Sequence, residues 1–430
     1  EGRLEEAMEQ FQDSHATLIE LHRREGNTDR VLFELSQAEF YVGEAYVRRS
    51  EVENTREHWV HYGALARRLL NRQPNNPRYV MELSYTLMNL GALEHERAVP
   101  DIDKSLELLQ AALQYNQMAL VLDPRNPEFR DSLPTQLAWL ADTWLQKCSL
   151  GNALEARQES VTLRRELVNE NPGDADYLQT LAFSLSGLAG VQIAIGLGEE
   201  AVGSFEEATG IMRRMHEAEP DNREIEWELL YREARLARLL AELGETERAW
   251  NMLEPKAGRI DELSRDPEYA GLVRAVEAGS FQNALGQVMI AHGEIEAGEA
   301  ALRSSMETLA GLARDKPDIR DTRFALAWAA FDYWEQLGAY PAGTGELLQP
   351  GLLPEPEAVE SCTVANLAAR LPDAEARNRA DALRENRNFK IDKPFFVIST
   401  RNYKTVQIHK NLDLYLESDP TQGQNINPQN

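Results

Sequence analysis

Few residues in this chain have types and spacings suited to chemistry. His58 and His61 lie three apart in the run EHWVH, which places both on one helix face within reach of one metal ion. The zinc-protease pattern instead requires two histidines four apart with a Glu between them. The neighbouring sequence signals no carboxylate or third ligand, so the pair reads as surface or packing histidines and no metal is expected. Gly196 and Gly198 in IGLGEEAVG, and the run GTGELLQPG at 343–351, carry the glycines of a phosphate loop. Neither follows a predicted strand, and both read as turns or loops. Cys148 and Cys362 are the only cysteines. At 214 positions apart they form neither a disulfide framework nor a metal pattern, and they fit a reducing, cytoplasmic setting. No Ser occupies a G-x-S-x-G elbow. With 71 Asp and Glu, carboxylate pairs at helical spacing arise by chance. The expectation is a protein that is not an enzyme and needs no cofactor.

The charge balance narrows the partners. The 430 residues carry a formal net charge of −26. A polyanion repels phosphate backbones and anionic lipid, so nucleic acid is excluded as a main partner. No stretch approaches the ~18 consecutive apolar residues needed to span a bilayer. The charge reads as a solvated helical surface, or as steering of a basic partner. The first residues, EGRLEEAMEQFQ, are amphipathic and acidic and lack the pattern of a signal peptide. With no initiator Met, the chain reads as an excerpt or a processed product.

The elements that must position any site repeat about every 48 residues. Pro74, Pro124, Pro172, Pro220, Pro267 and Pro317 are spaced by 50, 48, 48, 47 and 50. After each comes an apolar or small residue, then seven positions later an apolar residue with a close-packing neighbour. Leu83 with Leu90-Gly91, Leu181 with Leu188-Ala189 and Leu229 with Leu236-Ala237 are examples. A period in this range marks a solenoid, in which each unit buries its apolar face against its neighbours. Residues 2–25 read as one amphipathic helix. Helix pairs follow at about 28–73, 76–123, 126–171, 174–219, 222–266 and 267–315, and a last one begins at 317. In the turns PNNP, DPRNP, NPGD and EPDN, Pro ends one helix and the adjacent Asn or Asp caps the next.

GRLEEA at 2–7, the Leu-Gly and Leu-Ala pairs and the acidic-Pro-Asn turns resemble tetratricopeptide repeats. The usual unit has about 34 residues. The longer period here resembles the long-helix variant of bacterial multidomain signalling and effector proteins. The resemblance covers roughly residues 1–340. It implies an all-α, right-handed α-solenoid of antiparallel helix pairs whose first helices line a concave face. On that register the residues five before the second apolar position of each pair point into the groove: Gln37, Tyr85, Thr135, Phe183, Tyr231, Ser280 and Trp328. Four of these seven are aromatic, against 7% of the chain. Met88 and Phe331 lie three further on, and Arg238 two after its Leu. Tyr85, Met88, Phe183, Tyr231, Arg238, Trp328 and Phe331 are the candidate partner-binding residues, an aromatic ladder for an extended or helical peptide. Burial of these aromatics between repeats is the commoner arrangement and the competing reading.

After Gly338 the register breaks. Residues 341–387 read as a loop and a degenerate capping helix pair. Residues 388–430 hold four of the eight Lys and read as a β-prone appendage with a disordered tail. The function expected is non-catalytic capture of a protein or peptide segment, in a module of a larger bacterial protein. The alternative is a self-assembly scaffold in which the edge formed by residues 1–25, with Phe11 and Leu18, pairs between copies as a homo-oligomer.

Overall fold

A computed structural model describes residues 2–49, 51–97, 100–264, 272–315 and 320–337. The expected loop, capping pair and C-terminal appendage lie outside these residues. The described residues form helices joined by short turns, with no strand among them. The helices are α1 (Gly2–Glu25), α2 (Asp29–Arg48), α3 (Val52–Arg72), α4 (Pro77–Glu96), α5 (Ile102–Leu122), α6 (Pro127–Gln146) and α7 (Leu150–Glu170). Then come α8 (Ala175–Ala194), α9 (Gly198–Ala218), α10 (Arg223–Glu242), α11 (Thr246–Leu253), α12 (Ala257–Ser264), α13 (Leu272–His292), α14 (Ile295–Asp315) and α15 (Arg320–Leu337).

Two kinds of turn alternate, and each has a physical cause. Between pairs, a side-chain oxygen caps the incoming helix. Asn126 Oδ1 accepts from the amides of Glu128 and Phe129, Asp174 Oδ1 from Asp176 and Tyr177, and Asn222 Oδ1 from Ile225. Within pairs, one residue adopts a left-handed conformation and closes the first helix. Gly196, Gly244 and Gly293 have φ of 82°, 85° and 104°. The next amide then reaches back to the last turn: Leu197 to the Gln192 carbonyl at 2.8 Å, Glu245 to Leu240 at 2.8 Å, Glu294 to Met289 at 2.9 Å. Cys148 holds the same place between α6 and α7 with φ 61° despite its side chain. Cys362 lies outside the described residues.

The pairs pack through the predicted small positions. A Cβ on Gly43 would lie 2.5 Å from Trp59 Cδ1, and one on Gly91 2.7 Å from Leu109 Cγ. Glycine thus lets the two helices of a pair approach. The fifth pair departs from the expected two long helices. Its second helix breaks at a 3-10 turn over Glu254–Lys256, because Pro255 has no N–H to continue the ladder.

The chain divides into two compact units. Among the described residues, one takes 2–95 and 101–140; the other takes 96–97, 100 and those from 141 to 337. In the first, Leu32, Leu35, Leu65 and Leu69 form one core, with Leu18 and Ile19 of α1 packed on it. Trp59, Leu83, Leu87, Leu90 and Leu108 form another. In the second, Phe205, Trp227, Leu240 and Phe281 belong to a core that joins α8 to α13. Phe11 and Leu18 therefore face α2: Phe11 stacks on Tyr41 with centroids 5.7 Å apart.

Candidate functional site

In the first unit, the groove register falls on seams between consecutive first helices. Gln37 Nε2 of α2 donates to Glu82 Oε2 of α4 at 2.9 Å, and the Tyr85 hydroxyl of α4 donates to Glu128 Oε1 of α6 at 2.9 Å. Tyr85 is half-buried. Burial, reinforced by the Glu128 carboxylate, pushes its hydroxyl well above the ordinary tyrosine range. Met88 packs partly buried on the Trp59 core. Beneath them Glu82 also accepts from the Tyr62 hydroxyl at 2.5 Å, and burial raises its carboxyl although these hydrogen bonds oppose the shift.

In the second unit one register position stays open. Phe183 on α8 is 47% exposed. The Arg232 guanidinium of α10 lies 4.3 Å from its ring centroid. Arg232 is itself buried and tied to both the carbonyl and the carboxylate of Glu228. One turn on, Arg235 lies 4.9 Å from the Phe205 ring and 5.9 Å from that of Tyr231, which is half-buried. Arg238 completes the stripe, with Nε donating to Glu242 at 2.9 Å and Nη1 standing 3.5 Å from Asp332 Oδ2 of α15. Trp328 on α15 is half-buried; the Phe331 side chain lies outside the described positions. The structure thus links Phe183, Tyr231 and Arg238 through α10.

One glycine of α8 makes room for a cation, and a second lies in ordinary contact range of another. A Cβ on Gly187 would overlap the Arg157 guanidinium of α7, which pairs with Asp142, and one on Gly190 would lie 3.6 Å from Arg235 Nη2. Among the described residues no carboxylate pairs with Arg235. Burial, and then the charges of Arg232, Arg238 and Arg157, lower its pKa, with Tyr231 opposing. A guanidinium stacked on rings presents its N–H edge to a planar acceptor, the geometry that favours a carboxylate. Arg157, Arg232 and Arg235 were not among the sequence candidates. The spacing of Arg232, Arg235 and Arg238 at i, i+3 and i+6 in an acidic chain was the available signal.

A second constellation lies in the first unit. Glu39 of α2 is buried, and His15 Nε2 of α1 stands 2.8 Å from its Oε1. On α3, His58 Nδ1 is 2.6 Å from Glu39 Oε2, and His61 Nδ1 is 3.7 Å from Oε1. Burial opposes ionisation of Glu39, but hydrogen bonds from the three histidines outweigh it and hold the carboxyl far below its usual range. The spacing of His58 and His61 did not reveal His15 and Glu39, because both come from other helices.

The fold defines a class, a tetratricopeptide-like array of antiparallel helix pairs, by the turns and glycine contacts described above. No protein family matches the chain by sequence profile, and no curated protein matches it. Among solved structures it is similar to a putative kinesin light chain from Podosopora anserina with nearly identical TPR-like repeats. That likeness has 20% identity, spans 56% of this chain and 99% of that one, and has a TM-score of 0.37. BtubC from P. vanneervenii has 14% identity over 71% of this chain and 99% of that one, with a TM-score of 0.34. A Rap protein complexed with Competence and Sporulation Factor has 13% identity over 74% and 80%, with a TM-score of 0.39.

Proposed function

We propose that the chain is a non-catalytic module that captures a segment of another protein on the face built by α8, α10 and α15. The observation that carries this reading is the half-exposed Phe183 ring under Arg232, with Arg235 one turn further along α10, a guanidinium that no described carboxylate neutralises. An aromatic surface next to a partly desolvated cation is suited to a segment that pairs an apolar side chain with an Asp or Glu. An acidic segment fits this face better than the basic partner suggested by net charge. Tyr231, Arg238 and Trp328 border the same face; Tyr85 and Met88 belong to a separate stretch of the register in the first unit. The setting that accords with the resemblance is a larger bacterial signalling or effector protein.

An array of peptides in acidic-apolar, basic-apolar and neutral-apolar sets tests this, read by fluorescence anisotropy at two salt concentrations. Binding confined to the acidic-apolar set, weakened at least tenfold in Phe183→Ala and in Arg235→Gln with helical circular dichroism intact, is expected. Equal binding by both variants, or a preference for the basic set, overturns the reading.

A further inference from the structure

The histidines of the first unit surround a buried carboxylate that no arginine or lysine reaches among the described residues. Every polar contact of Glu39 in the described structure is with an imidazole: His15, His58 and His61. An ionised carboxylate at 8% side-chain exposure requires a nearby positive charge. The three rings are far more open, at 18%, 20% and 22%, so a path from solvent reaches the cluster.

The ligand atoms are already gathered. One donor atom each from His15, Glu39 and His58 fall within 4.8 Å of one another. Zinc bonds of about 2.0–2.2 Å to nitrogen and oxygen place tetrahedral ligand atoms about 3.3–3.5 Å apart. The His15–Glu39 and His58–Glu39 separations of 2.8 and 2.6 Å are thus shorter than a bound ion requires. Opening them by less than about an ångström is within the reach of side-chain rotation. Two imidazoles and one carboxylate, with a fourth place for His61 or water, form a donor set of borderline softness. It suits Zn²⁺ and its first-row neighbours better than Ca²⁺ or Mg²⁺, which favour oxygen alone.

We propose that His15, Glu39 and His58 bind one divalent transition ion of the Zn²⁺ class, with His61 beside them. The ligands come from α1, α2 and α3, so the ion staples the first helix to the pair that follows. The Tyr46 ring, stacked on His58 with centroids 5.4 Å apart, holds that imidazole in place. Imidazole hydrogen bonds to Glu39 with no ion are the competing arrangement, and the test separates the two.

The test uses the full chain, stripped with chelator and then titrated with ZnCl₂ and CoCl₂. Metal retained after dialysis gives the stoichiometry, competition with a chromogenic chelator gives the affinity, and Co²⁺ absorption reports the ligand geometry. One ion per chain is expected, with intense tetrahedral-type Co²⁺ bands, and at least tenfold weaker binding in His15→Ala and in His58→Ala. His216→Ala and His292→Ala, which alter histidines of the other unit, should bind as the unaltered chain does. His15→Ala removes only the α1 ligand, so intact helical circular dichroism in that variant separates lost ligation from lost folding. No stoichiometric ion in the unaltered chain, or affinity unchanged by His15→Ala and His58→Ala, overturns the proposal.

Discussion

Arg232 holds its guanidinium 4.3 Å from the centroid of the Phe183 ring and joins α10 to α8. The two partners differ in what else depends on them. Arg232 is buried and neutralises Glu228, whereas Phe183 is 47% exposed. Phe183→Ala should therefore cost about 1 kcal/mol of stability or less. Arg232→Ala should cost about 2 kcal/mol, because it leaves the buried Glu228 carboxylate with only the 3.3 Å contact to Arg274. Urea melts of the two variants check the ranking; equal losses would show that the Phe183 ring is part of the core.

The glycine positions divide by the space around them. Gly43→Ala would press a methyl against Trp59 Cδ1 at 2.5 Å, so a loss of about 1–3 kcal/mol is expected, with a shift in tryptophan emission. Gly203 in α9 has nothing within 4 Å of its Cβ position. Gly203→Ala should raise stability by about 0.5–1 kcal/mol through helix propensity. Thermal melts that moved both variants in the same direction would contradict the packing described.

Turn geometry makes a separate prediction. Gly244 has φ 85° with open space around it, so the only penalty for a side chain there is conformational. Gly244→Ala should cost about 1–2 kcal/mol, and Gly244→Asn less, since Asn tolerates the left-handed region. Chemical denaturation gives both values, and Asn no better than Ala would count against the backbone cause.

One ion pair gives a pH dependence of definite sign. Arg259 of α12 binds Glu226 of α10 through two hydrogen bonds of 2.7 and 2.8 Å. The Arg259 hydrogen bonds lower the Glu226 pKa in the folded state, against a smaller opposing effect of burial. A folded pKa below the unfolded value stabilises above the unfolded pKa of about 4.3 and loses that contribution as the pH falls through the folded pKa. Arg259 is about a third exposed, so solvent screening limits the effect to about 0.5–1 kcal/mol. Glu226→Gln should lower the melting temperature at pH 7 and leave it unchanged near pH 3. A constant difference across that range would show that the pair does not act through charge.

The sequence by itself determined the elements and their order. Proline and Asn or Asp in the turns end one helix and cap the next by local hydrogen bonds, and the glycines of the repeat mark where helices approach. These are short-range causes, so Asn126, Asp174 and Asn222 behave as their local sequence dictates. Pro255 shows the limit of a periodic argument, since one missing N–H splits a helix that the repeat length makes continuous. Only the tertiary structure decided which register positions are seams and which are open. Tyr85 finds Glu128 on the next first helix, whereas Phe183 meets a guanidinium and stays exposed. The same applies to His15, Glu39 and His58, which lie on three helices. Their proximity is set by how α1, α2 and α3 pack, and spacing along a single helix does not encode that.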